Sequence, residues 1–150
     1  MIECPQCTPA QQYVLEQLQV KAEIKDKVAL AVIMGNIQQE SGFRHNVCEG
    51  GAIVPYDRCL RGGYGLIQWT SPKRYHGLGS FCKRYGCDPS SLKGQTRYMI
   101  NELQFRNELE QFQTRYQQLP YYMNAAYYWL GWGIKGNRER YAYTFLDKLK

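Results

Sequence analysis

Glu40 is the residue whose placement most invites chemistry. Leu30, Ile33 and Ile37 recur at helical spacing, and the next position on that stripe is Glu40, so an acid stands where a core residue is expected. It also falls at the end of the predicted helix, where the helix dipole disfavours a negative charge by about 0.3 to 1 kcal/mol. Both features favour the neutral acid over the carboxylate. A carboxylic acid that stays protonated near neutral pH can protonate the leaving oxygen of a glycosidic bond. The competing reading is an exposed residue at a helix end, because helix registers shift by a residue or two there. Glu49, nine residues further on, and Asp57 are carboxylates in the loop that follows. Each is either a second acid, holding a water or stabilising an oxocarbenium-like transition state, or a solvated loop residue.

Cysteine offers a second kind of chemistry. Cys4, Cys7, Cys48, Cys59, Cys82 and Cys87 could form three disulfides. Proximity favours Cys48 with Cys59 and Cys82 with Cys87. The Cys4-Pro-Gln-Cys7 pair has zinc or redox spacing, yet no second such pair follows and no neighbouring histidine completes a tetrahedral site. No metal and no cofactor is therefore expected. His45 and His76 raise the alternative of a cysteine-histidine amidase or peptidase with Cys48 or Cys59 as nucleophile. Against it, these two cysteines flank the loop as a disulfide would, and a tied sulfur cannot attack.

These residues must be held by helices. Pro9 opens one over 9–20, with Val14, Leu15 and Leu18 on one face. A longer helix is predicted over 24–40. Between 41 and 63 the helical period vanishes and glycine, cysteine and proline accumulate, as in a long loop or short hairpin. Residues 65–70 read as a short strand or extended segment. Ser71 and Pro72 then start a helix that ends near Gly86. Asp88 and Pro89 repeat that start signal, and one helix is predicted over 95–112. Further helices follow from Pro120 to Leu130 and from Arg138 to Leu149, the last with Tyr141, Phe145 and Leu149 on one stripe.

Length and composition bound what such an assembly can be. The 150 residues suit one domain, read as a catalytic domain over 9–150 behind a cysteine-bearing lead-in at 1–8. Thirteen Tyr, three Trp and five Phe exceed what a small core needs, which suits stacking on a polymer. A formal charge of +6 favours an anionic partner. Lysine and arginine are scattered from Lys21 to Lys150 without a dense basic run, so nucleic acid is not expected. The longest apolar run, from Val28, is too short to span a bilayer, and the N-terminus lacks the order of a secretory signal. Neither membrane insertion nor signal-directed export is expected.

Glu40-Ser41-Gly42-Phe43, followed about twenty residues later by Gly63-Tyr64-Gly65-Leu66-Ile67-Gln68-Trp69-Thr70, resembles the phage tail lysozyme family within the broader lysozyme-like and soluble lytic transglycosylase group. The resemblance continues at Arg74, Leu78, Phe81, Gln95, Tyr98, Glu102 and Leu103 and in the helix from Arg138, covering nearly the whole chain from Val28 onward. It implies a mainly α, lysozyme-like (α+β) fold in which a small loop or β region forms one wall of a cleft. It further implies that Glu40 is the acid/base, that Gln68 hydrogen-bonds sugar or orients the glutamate, and that Ser41, Tyr64 and Trp69 belong to the substrate-binding set. Trp69 is equally readable as core. Tyr122 or Tyr127 would reach the cleft, as a tyrosine of that region does in transglycosylase-like relatives.

The activity so implied is cleavage of the β-1,4 bond between N-acetylmuramic acid and N-acetylglucosamine in peptidoglycan. Glu49 or Asp57 would serve as the second acid of a hydrolase. Without one, the sugar's own 6-hydroxyl attacks and an anhydro-sugar results. The resemblance places the protein in a phage virion tail, with other tail proteins as partners, or at the bacterial wall after release. A chitinase, or a structural tail protein that keeps a wall-binding scaffold without catalysis, are the rival expectations.

Overall fold

A computed structural model describes residues 1–60 and 62–150. Among them are seven α-helices and almost no strand: α1 Pro9–Val20, α2 Lys27–Ser41, α3 Pro72–Tyr85, α4 Leu92–Asn101, α5 Leu103–Gln113, α6 Leu119–Leu130 and α7 Arg138–Lys148. The fold is mainly α, as the helical periods predict. The chain divides into two compact units, one of residues 1–39 with 100–150 and one of residues 40–99. Among the described residues no helix is long and apolar enough to cross a membrane.

The first unit is built on α2. Ala29, Leu30, Ala31, Val32, Ile33, Met34 and Ile37 are all buried. A helix apolar all round must be enclosed by its neighbours. α2 starts three residues later than its apolar pattern suggests, because Asp26 caps it: Oδ1 accepts from the amides of Val28 and Ala29, and Oδ2 from that of Tyr116. Gly35 permits the closest approach in this unit. A Cβ there would lie 2.5 Å from the backbone nitrogen of Ala142, so α2 and α7 touch through their main chains. Around them Trp129 meets Phe105 and Phe112 edge-on at 5.2 and 6.1 Å. Arg138, buried, donates to Asn36 Oδ1 at 3.2 Å and lies over the Trp132 ring. The lead-in is tied down too: Glu3 and Lys150 exchange both backbone hydrogen bonds, and Cys4 is joined to Cys7 in a disulfide. That bond closes the zinc reading of this pair.

The second unit begins with the last two residues of α2, runs through a loop with a short 3-10 turn at Tyr56–Arg58, and ends with α3 and most of α4. Among its described residues the β content is three isolated bridges, Val47 with Ile53, Cys48 with Tyr64, and Tyr64 with Trp69. Residues 65–68 form a turn where a short strand was an open expectation, because Gly65 and Gln68 both adopt positive φ. Ser71 caps α3 and the left-handed Gly86 ends it, as the sequence signals require.

Two expectations fail in this region. Asp88 does not start a helix at Pro89: its carboxylate accepts from the Ser90 amide and its carbonyl from the Ser91 amide, which close a single turn ahead of the helix. Ser91 is the cap instead, its hydroxyl accepting from Gly94, and α4 begins at Leu92. The single helix predicted over 95–112 is two helices. Glu102 is extended, with φ −66° and ψ 143°, and stands at the N-cap position of α5 without a capping bond from its side chain.

Candidate functional site

Glu40 and Ser41 close α2, and the chain leaves through two consecutive left-handed residues, Gly42 and Phe43. Phe43 adopts this conformation despite its bulk and is buried, so its side chain holds the reversal in place. The Ser41 carbonyl accepts from both the amide and Nε of Arg44, at 3.2 and 2.9 Å. Glu40 itself is half-buried, at the end of a helix whose preceding stripe is wholly enclosed.

Ser41 links this helix end to the glycine-rich segment. Its buried hydroxyl donates to the carbonyl of Leu66 at 2.7 Å. On the other side of that residue, the Leu66 amide donates to Gln95 Oε1 at 2.9 Å. Gln95 is fully buried, and its Nε2 donates to the carbonyls of His45 and Pro89 at 2.6 and 2.9 Å. One glutamine thus binds three separate chain segments, and Leu66 is held through both of its backbone groups. Gln95 is one of the residues that carry the family resemblance, and its type alone does not announce this task. Its local signal is Gly65: a Cβ there would sit 2.5 Å from Gln95 Oε1, so only glycine leaves the amide room.

Gln68 stands on the turn this clamp holds. It is half-buried, with φ +53°, and its Nε2 donates to the carbonyls of Val47 and Gly65 at 3.2 and 2.9 Å. Gly63 is obligatory for the same turn, since a Cβ would lie 2.7 Å from the Gln68 Cβ and 2.9 Å from the Gln68 carbonyl.

Tyr64 and Trp69 face each other across this turn and exchange both backbone hydrogen bonds, at 3.2 and 3.0 Å. Both side chains are fully buried. The Trp69 ring packs against Tyr98 at 5.4 Å, and the Tyr64 hydroxyl donates to the Val54 carbonyl at 2.9 Å. Tyr56 stacks on Tyr75, each hydroxyl donating to the other's carbonyl, and Tyr64 meets both rings edge-on. Burial, the largest cause, raises the Tyr64, Tyr56 and Tyr75 hydroxyls above the ordinary tyrosine value. These phenols stay neutral and brace the loop.

The loop between Val47 and Gly63 carries the other two carboxylates. Glu49 is exposed, its amide donating to Gly63 at 2.7 Å and its side chain lying over Gly62, where a Cβ would come within 2.6 Å of Oε2. Asp57 is exposed on the 3-10 turn. The loop is closed by the Cys48–Cys59 disulfide, and Cys82–Cys87 staples the end of α3. With Cys48 and Cys59 bonded to each other, the cysteine-nucleophile alternative has no thiolate to use. His45 Nδ1 is instead engaged with the Ser90 carbonyl at 2.7 Å. In the pair Cys48→Ser/Cys59→Ser, loss of this loop closure is expected to cost about 2 to 3 kcal/mol, read as a lower urea midpoint.

Elsewhere, Tyr122 is buried, with its hydroxyl donating to the Thr114 carbonyl at 2.5 Å, whereas Tyr127 is exposed on α6. Among the described residues no group of three or more His, Cys, Asp or Glu could hold a metal ion. No curated protein matches the chain. The model of the phage tail lysozyme family matches residues 12–149, from the second turn of α1 to the end of α7 and through every element just described, and the chain belongs to that family.

Proposed function

We propose that this protein cuts the glycan strands of bacterial peptidoglycan at the β-1,4 bond between N-acetylmuramic acid and N-acetylglucosamine, with Glu40 as the acid/base. The observation that carries this reading is the linkage at the end of α2. Glu40 is followed by Ser41, whose hydroxyl is bound to the turn bearing Gln68, so the acid and the amide are fixed through a rigid, buried connection. Pre-set geometry of this kind is what proton transfer to a leaving glycosidic oxygen requires.

In the first step Glu40 gives its proton to the leaving oxygen as the glycosidic bond breaks and an oxocarbenium-like centre develops. The carboxylate so formed then takes a proton from the attacking group. If that group is a water held by Glu49 or Asp57, the product has a reducing end; if it is the sugar's own 6-hydroxyl, the product is an anhydro-sugar. Both donors of the Gln68 amide are taken by backbone carbonyls, which leaves its oxygen to accept from a sugar hydroxyl. Ser41, Tyr64 and Trp69, being buried, act by holding that turn. A place in a virion tail, among other tail proteins, fits the family.

Mass spectrometry of the soluble material released from purified sacculi tests the reading. Anhydro-muropeptides or reducing-end muropeptides are the expected products and identify the attacking group. Sacculi that retain the protein yet release nothing would leave a wall-binding structural component.

A further inference from the structure

The positive charge of this protein is unevenly placed. Residues 40–99 hold nine of the nineteen Lys and Arg but only four of the thirteen Asp and Glu, so +5 of the formal +6 belongs to the unit that contains Glu40. Within that unit, α3 carries four cations and no acid. The helical period sorts its residues into two faces. Leu78 and Cys82 are buried, whereas Lys73, His76, Ser80 and Lys83, at i, i+3, i+7 and i+10, are all exposed and form one stripe, with Arg84 at its edge. Among the described residues neither Lys73 nor Lys83 has an acidic partner. Beside the stripe lies a surface cavity of about 470 Å³, lined by His76, Gly79, Ser80 and Lys83 of α3 and by Tyr56 and Pro89 from outside the helix. A Cβ at Gly79 would lie 2.6 Å from the Tyr56 hydroxyl, so the glycine is what lets the tyrosine lie against the helix here.

We propose that this face of α3 is a docking site for the acidic stem peptides that muramic acid carries, so that the protein recognises peptide-bearing glycan and discriminates against bare strands and chitin. The inference rests on the reading of peptidoglycan as substrate. Unpaired cations along a helix attract carboxylates, and a cavity with one cationic wall and one aromatic and proline wall suits a short peptide better than a bare phosphodiester chain. Because the peptides hang from the same strand that Glu40 would cut, holding them raises the local concentration of the scissile bond.

The test uses the full chain on sacculi freed of phosphate polymers, and on the same glycan after an amidase has removed its peptides. For wild type, KM on peptide-bearing glycan is expected to be lower and to rise with salt. Lys73→Glu/Lys83→Glu should raise that KM about tenfold at low ionic strength and leave turnover of peptide-free glycan within twofold. Lys21→Glu/Lys25→Glu, with the same change in net charge on the other unit, should alter neither. Equal effects of the two pairs, equal loss on both substrates, or no salt and peptide dependence would each overturn the docking face. If wild type releases nothing from either substrate, cosedimentation decides alone: salt-sensitive binding that needs the peptides and is lost in Lys73→Glu/Lys83→Glu refutes cleavage and upholds docking, and any other pattern refutes both.

Discussion

Glu40→Gln is expected to lower the release of soluble muropeptides by about a thousandfold while leaving the fold and wall binding intact. The substitution keeps the size and polarity of the side chain and removes the transferable proton. Positioned proton transfer contributes about 10²- to 10⁴-fold to such reactions, and about a thousandfold corresponds to ~4 kcal/mol of transition-state stabilisation. The cost in stability should be small, within about 0.5 kcal/mol, because Glu40 is half-buried and the helix it ends is held by the enclosed residues before it. Thermal unfolding and cosedimentation with sacculi therefore serve as controls that should not move. Glu49→Gln and Asp57→Asn extend the experiment. A hydrolase that holds its water through one of them loses activity in that variant, and a transglycosylase loses it in neither. Muropeptide release by Glu40→Gln at the wild-type rate would remove this residue from the mechanism.

Signals that are local in the chain were legible, and those that depend on the partner of a side chain were not. Ser71, Pro72 and Gly86 delimit α3 because a cap, a fixed φ and a left-handed residue act within a few positions of themselves. The start of α2 differs from its apolar pattern because apolar residues extend upstream of Asp26, and only the three amides received by its carboxylate show that the helix cannot. Glu102 is a good helix former, and nothing in its type announces that it will be extended and buried between α4 and α5. The turn at 65–68 resembles a strand by composition. Its two positive φ angles arise because Gly65 must clear Gln95 and because the Gln68 amide turns back onto two carbonyls. The cations of α3 illustrate the same point at the surface. They are dispersed along the sequence, and the helix gathers Lys73, His76 and Lys83 onto one face. The candidate acid was legible as a break in an apolar stripe, whereas the clamp that holds the turn bearing Gln68 needed the fold.

That clamp carries the largest expected loss of stability. Gln95→Leu preserves volume and removes every polar contact, leaving the Leu66 amide and the carbonyls of His45 and Pro89 without their partner. A buried group left unsatisfied costs about 1 to 3 kcal/mol. Leu66 is fully buried, but His45 and Pro89 are half-buried and water can reach them, so the total should be about 3 to 5 kcal/mol. Urea unfolding measures it. Gln95→Glu separates the hydrogen bonds from mere packing. The carboxylate still accepts from the Leu66 amide but confronts two carbonyl oxygens, whereas the protonated acid can donate to one of them. Its folded-state pKa should therefore lie above the unfolded value of about 4.3, and the restored stability should be complete below that pH and vanish as pH rises. A Leu variant as stable as wild type, or a Glu variant whose stability does not rise toward acid pH, would show that the three hydrogen bonds do not hold this turn. Where enough of the Leu variant remains folded to assay, kcat on peptidoglycan should fall at least tenfold with little change in KM. The cations of α3 that would capture the stem peptides are untouched, while the turn that carries Gln68 loses its ties to His45 and Pro89 and is held to the helix that carries Glu40 by the Ser41 bond.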